Sequence, residues 1–263
     1  MNPVKLSVVI ITFNEEQNIG DCLESVLKVA DEIVVVDSFS TDNTKGICDR
    51  YAVRFIQNRF DGHIQQKNFA MSQASHDVIL SLDADERLDA ALAEEIKRVK
   101  SNFTGTGYSV NRLNNYCGKF VRFGEWNPDW KIRLWDRRKG AWGGENPHDQ
   151  VILKDARPIK LKGRLLHFTY RTVSAHFLQM HKFSDIAASE SFKRGKRSVF
   201  VVHQVLYPFF YFFKVYFLKL GFLDGYSGYV LAVHAAYYRF LKYTKLAFLN
   251  SKMGRDDRAG SER

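Results

Sequence analysis

Cysteine is scarce in this chain. Cys22, Cys48 and Cys117 are odd in number and widely spaced over 263 residues. They form neither a disulfide framework nor a metal-ligand pair, which suits a reducing compartment. The opening Met-Asn-Pro-Val-Lys-Leu-Ser lacks the apolar run and cleavage site of a secretory signal, and the run Val8 to Ile11 has strand length. No helix-turn-helix, zinc-finger or RNA-binding signature accompanies the net charge of +10, which ranks nucleic acid low as a partner. An uninterrupted apolar run of the ~20 residues a spanning helix needs is also missing. From Val199 only fifteen residues precede Lys214, and they include His203, Gln204 and Pro208. What is present is a 45% hydrophobic composition, ample for one large domain or one domain with an appendage.

The positive charge is unevenly placed. Residues 1–159 hold 21 Lys/Arg against 23 Asp/Glu, whereas residues 160–263 hold 18 against 6. A basic, aromatic C-terminal part suits an anionic lipid or acidic glycan surface.

Leu6 to Thr12, Glu32 to Asp37, Arg54 to Gln57 and Val78 to Leu82 read as strands, the longer ones buried on both faces. Between them lie helical patterns at 19–27, where Asn18 is placed to cap, around 43–51, and over His63 to Ala74. Residues 90–100 form an amphipathic helix. This βαβ series predicts a parallel sheet covered by helices, with ligands at the carboxyl ends of its strands. A dinucleotide-type glycine loop after the first strand is absent. Thr12, Asn14 and Glu15 stand there instead, groups suited to hydrogen-bonding a base or ribose. Asp37 ends the second strand, where an Asx-turn or helix cap is the alternative role. Asp83 and Asp85 end the fourth. Two carboxylates this close suit Mg²⁺ or Mn²⁺ shared with substrate phosphates. The plainer alternative is a solvated turn in which Asp85 or Asp89 caps the next helix.

Ser-Val-Val-Ile-Ile-Thr-Phe-Asn-Glu-Glu (7–16), Ile-Val-Val-Val-Asp-Ser-Phe-Ser-Thr-Asp (33–42) and Leu-Asp-Ala-Asp-Glu (82–86) resemble, in order and spacing, the family-2 glycosyltransferases of GT-A fold. The resemblance covers about the first 190 residues and continues toward the lipopolysaccharide-core β-1,4-glucosyltransferase branch. It implies that Thr12, Asn14, Glu15 and Asp37 hold the uridine of a UDP-sugar. Asp83 would face ribose or metal, and Asp85 would bind the Mg²⁺ or Mn²⁺ of the diphosphate.

Residues 101–165 read as acceptor-side loops and short mixed strands. Trp126, Trp130 and Trp135 suit sugar stacking or the core, and Arg133, Arg137 and Arg138 suit phosphates or carboxylates. In Gly143 to Val151, inverting transfer needs a carboxylate to take the acceptor proton. By resemblance that base is Asp149, one carbon shorter than the family's usual glutamate, with Glu145 in reserve; the alternative role of His148 and Asp149 is to stabilise a loop. His167, in Leu-Leu-His-Phe-Thr-Tyr, is a candidate metal ligand or a core histidine. Lys67 reaches either the sugar-diphosphate or solvent, and His176, His181 and Lys182 on a helix at 173–193 are weaker candidates.

After Lys193-Arg-Gly-Lys-Arg-Ser198 come two aromatic helices, 199–220 and 229–250, edged with cations. They suit the membrane interface; the alternatives are a packing or dimer surface and, ranked below it, a transmembrane hairpin. The expected organisation is a catalytic domain over 1–195, a membrane-associating segment over 196–250 and a disordered tail over 251–263. The expected activity is metal-dependent inverting transfer of a hexose, glucose from UDP-glucose, to a lipid-linked or lipopolysaccharide-core glycan. The enzyme would be cytoplasmic and peripheral on the inner membrane. The rivals are a sugar nucleotidyltransferase, whose glycine-rich basic loop is missing, and a non-catalytic membrane or nucleic-acid binding protein on the same fold.

Overall fold

The computed structural model describes residues 3–145, 148–154 and 157–261; the side chains of His148 and of residues 252–261 lie outside that description. The chain forms two compact units, residues 1–113 with 128–169, and residues 114–127 with 170–263. The helix at 173–193 therefore joins the second unit.

The first unit begins with β1 (Leu6–Thr12), α1 (Ile19–Val26), β2 (Glu32–Asp37), α2 (Thr44–Cys48), β3 (Arg54–Gln57), α3 (His63–Ser72) and β4 (Val78–Asp83). β5 (Glu86–Leu88), α4 (Ala90–Ser101) and β6 (Gly107–Tyr116) follow. Beyond the short β7 (Lys119–Phe120) come β8 (Trp130–Asp136), β9 (Gly140–Glu145), β10 (His148–Leu153) and β11 (Ile159–Tyr170). The main sheet has the order β3-β2-β1-β4-β8-β6-β11-β5, with β7 paired to β6; β9 and β10 form a separate hairpin.

β3, β2, β1 and β4 are parallel, as their continuous apolar runs predict. Antiparallel pairs beyond β4 make the whole sheet mixed. β8 runs antiparallel to both β4 and β6, and β11 antiparallel to β5. Among the described residues no helix intervenes between β6 and β11, and parallel pairing needs such a crossover. α1 buries Ile19, Cys22, Leu23 and Val26, one face at helical spacing. Asn18 stands at its N-cap but makes no capping bond; its amide donates to Glu15 Oε2 at 2.7 Å instead. Asp89 does cap α4, accepting from Leu92 N at 2.7 Å. Register sets the functional edge: Thr12 pairs with Asp37 and Ile11 with Asp83, so three strand ends finish at one level.

In the second unit α5 (Val173–Lys193) packs along α7 (Tyr226–Ser261), and α6 (Tyr207–Phe213) also packs on α7. α7 continues past residue 250, where the sequence reading ended its last helix. Tyr116, Val121 and Leu231 form a small core with Trp126, Tyr170 and Val230. α6 sits between two π-helical turns, Phe200–Leu206 and Lys214–Leu218. Together, Phe200–Leu218 is long and apolar enough to cross a membrane, at mean hydropathy 1.2, and almost none of it is buried. Phe200, Phe209, Phe210 and Leu218 are each at least 60% exposed.

Candidate active site

The edge formed by β1 and β2 is knitted from its own polar groups. Asn14, at φ 54°, accepts from Thr41 N at 2.8 Å through its side chain and donates its own N–H to Ser40 Oγ at 2.8 Å. Glu15 N donates to Thr44 Oγ1 at 2.8 Å. Asp37 is buried and accepts from Ser40 N and Oγ at 2.8 and 2.5 Å, an Asx-type turn, and from Gln57 at 3.4 Å. Thr12 differs: its hydroxyl is buried and has no hydrogen-bond partner among the described residues, which leaves a donor and an acceptor open at the edge. Phe13, next in the chain, and Phe39, just past β2, are 57% and 54% exposed, and Phe39 holds φ 61°.

At the end of β4 a chain of charges begins. Lys67, on α3 and buried, places its ammonium 3.0 Å from Asp83 and 2.8 Å from Asp149. It also lies 4.3 Å from the ring centroid of Trp142, whose buried indole N–H has no partner among the described residues. On the other side of Asp83, Arg133 from β8 makes a two-pronged contact with fully buried Glu86, at 2.7 and 3.0 Å, and reaches Asp83 at 3.3 Å. Arg112 adds a 3.4 Å contact to Glu86. Burial alone would raise the Asp83 carboxyl, but Lys67 and Arg133 outweigh it and hold Asp83 well below the usual carboxylate range. Glu86 is likewise lowered: burial opposes it, and Arg133 wins despite repulsion from Asp83.

Asp85 faces a different neighbour. It occupies the two-residue link into β5, which pairs with β11 so that His167 lies opposite Glu86. Phe168 N donates to Asp85 O at 3.0 Å, and His167 Nε2 stands 3.1 Å from Asp85 Oδ2. Thr169 Oγ1 orients the ring by its 2.9 Å contact to Nδ1. Asp83, Asp85 and His167 thus do not converge as a three-ligand set, and no such His/Cys/Asp/Glu group exists among the described residues. Asp85 and His167 suffice for a Mg²⁺ or Mn²⁺ ion whose remaining ligands are phosphate oxygens and water. In that chemistry the residues fit.

Asp149 lies on β10 opposite Gly144, whose φ of 98° favours glycine. Glu145 is exposed at the hairpin's end; Asn146 and Pro147 lie outside the described residues. Arg137 holds the carbonyls of Met71 and Ala74, and Arg138 pairs with Asp136 and Asp77, so both serve structure. Trp135 is core, Trp130 is partly exposed, and Trp126 belongs to the second unit's cluster. His176, His181 and Lys182 all lie on α5 in the second unit. Sequence reasoning passed over Glu86 and Trp142. Glu86 directly follows Asp85, and a fully buried glutamate demands a cation, so Arg133 was the available signal.

A half-parallel sheet with acidic strand ends and a polar, partly unsatisfied edge places a ligand site at the carboxyl ends of its strands, as in nucleotide-binding α/β proteins. The chain belongs to glycosyl transferase family 2, whose sequence model matches residues 7–157. It is 32% identical over 248 residues to the lipopolysaccharide core biosynthesis glycosyltransferase LpsC of Rhizobium meliloti (strain 1021), covering 92% of this chain and 91% of that one. It is 30% identical over 262 residues to the uncharacterised glycosyltransferase RT0209 of Rickettsia typhi, covering 94% and 88%. The mannosyltransferase PcManGT from Pyrobaculum calidifontis, solved in complex with GDP-Man and Mn²⁺, superposes with a TM-score of 0.54 at 15% identity over 93% of this chain and 87% of its own. The fold is GT-A, and the protein is a glycosyltransferase. That membership sets aside the nucleotidyltransferase and non-catalytic readings.

Proposed function

We propose that the enzyme transfers a hexose, glucose from UDP-glucose, with inversion onto an anionic cell-envelope glycan of the lipopolysaccharide-core type. One observation carries the reading: the Lys67 ammonium bridges Asp83, at the donor edge, to Asp149 on the β9–β10 hairpin. A carboxylate on the acceptor side is thereby fixed beside the donor edge.

In this reading Thr12 meets the nucleoside with its unpaired hydroxyl, while Asn14, Glu15 and Asp37 hold the edge's shape and Asp83 faces the ribose. Asp85 and His167 would hold a Mg²⁺ or Mn²⁺ ion carried by the diphosphate, which neutralises charge on the departing UDP. Asp149 takes the proton of the acceptor hydroxyl as its oxygen bonds to C1 of the hexose, and the C1–O bond to the diphosphate breaks on the opposite face. Lys67 aims Asp149 through their 2.8 Å ion pair. Likeness to LpsC supports the acceptor class.

The second unit, with its exposed aromatics and the basic sequence from residue 160, would hold the enzyme peripherally on an anionic cytoplasmic leaflet.

The test is nucleotide release from UDP-glucose, other UDP-sugars and GDP-mannose, with Mn²⁺ or EDTA. Turnover confined to UDP-glucose and abolished by EDTA is expected. Asp149→Asn should bind donor unchanged and lose about 10²- to 10⁴-fold in turnover. Full turnover in that variant would move the base to another residue, and GDP-mannose as sole donor would overturn the sugar assignment.

A further inference from the structure

Outside the active site, one cluster in the second unit brings metal-binding side chains together. His176 on α5 and His234 on α7 meet with their Nδ1 atoms 2.8 Å apart. The Tyr116 hydroxyl lies 3.4 Å from the first and 3.5 Å from the second. Tyr116 and His234 are 3% and 5% exposed.

A shared proton between the imidazoles explains only part of this. The ring centroids are 4.6 Å apart, closer than a head-on N–H···N bond between two five-membered rings allows, so the nitrogens meet at an angle. The tyrosine contacts are too long for good hydrogen bonds. Three donors separated by 2.8, 3.4 and 3.5 Å instead bracket the edge of a tetrahedron, about 3.3 Å when ligands stand at about 2.0–2.1 Å from the ion.

We propose that His176, His234 and Tyr116 form a binding site for a first-row transition dication of the Zn²⁺ class, clamping α5 to α7 and to the end of β6. Imidazole nitrogens select this class over the hard cation suited to Asp85. Burial, and for His176 also the facing His234, favours the neutral imidazole that ligates metal. The surroundings fix the ring planes: Tyr170 stacks on His176 at 4.5 Å, and Phe177 sets its edge against His234 at 4.4 Å. Tyr116 and His234 also line a cavity of about 460 Å³, bordered by Phe177, Tyr226 and Tyr229, which supplies an entry path and room for a water as fourth ligand. The site is independent of the proposed donor and acceptor.

The experiment uses the full-length chain, stripped with EDTA and then equilibrated with micromolar Zn²⁺ and freed of excess by gel filtration. Elemental analysis should find about one Zn²⁺ per chain in the wild type and in Asp85→Ala/His167→Ala, and none in His176→Gln/His234→Gln. With Co²⁺ in place of Zn²⁺, the visible bands of a tetrahedral site should appear in the wild type and shift in Tyr116→Phe. Zn²⁺ content that survives loss of both imidazoles, or a wild type that retains none, overturns the proposal. Should the double glutamine variant not fold, absence of tetrahedral Co²⁺ bands in the wild type overturns it equally.

Discussion

Arg133 has two carboxylates to answer for and little water to help it. Glu86 is fully buried, Asp83 shares the same guanidinium, and the side chain of Arg133 is 4% exposed. Removing the cation strands buried charge, which costs more than the pair itself contributes. Arg133→Met should therefore lower stability by about 3–5 kcal/mol in urea unfolding. The same carboxyls set an acid limit. Their folded pKa values lie below the unfolded ones, about 3.9 and 4.3, so their contribution is complete above that range and is lost as pH falls through the folded values. Urea midpoints measured downward from pH 6 should hold until about pH 4 and then drop. A midpoint that rises on acidification would contradict the depressed carboxyls. The candidate residues were legible individually, because Asp83, Asp85, Asp149 and His167 stand in recognisable segments. Their partners were not: Glu86 and Arg133 lie 47 positions apart, and only the strand order brings them into contact.

At the scale of elements, the pairing of β5 with β11 does most to assemble the site. It carries His167 to Asp85, and it depends on α4 packing closely over β11. Gly163 makes that approach, since a Cβ there would lie 2.3 Å from Leu92 N and 2.4 Å from Leu92 Cα. Glu95 on α4 then accepts the N–H groups of Lys162 and Gly163, each at 2.8 Å. Backbone atoms cannot step aside as a side-chain tip can. Gly163→Ala should cost about 3 kcal/mol or more, read as a fall in Tm, and should weaken donor binding at temperatures where the wild type is intact. A variant with wild-type Tm would refute this contact. β1, β2, β4, α1 and α4 were readable because continuous apolar runs and 3.6-residue periodicity mark them. β5 was not, being three residues long and set by pairing with the distant β11, and β9, half glycine, carries no apolar run or alternation of its own.

Considered as a whole, the molecule is acidic by a slight margin through residue 159 and strongly basic thereafter. If this charge and the exposed rings of the second unit act together on a membrane, binding should respond to two separate variables. Flotation with anionic vesicles should weaken as salt rises from 50 to 500 mM, through screening. Phe209→Glu/Phe210→Glu should reduce it at every salt concentration, by removing apolar area that enters the interface. Binding that ignores both changes would point to a protein surface as the partner of these rings. A different kind of consequence follows from Phe39. A bulky ring in left-handed backbone forgoes roughly 1–2 kcal/mol that glycine would recover. Laboratory selection for heat resistance alone should therefore replace Phe39 early, and selection that also demands turnover should keep it. The fate of that one codon in parallel lineages would separate a tolerated blemish from a ring retained for the nucleotide.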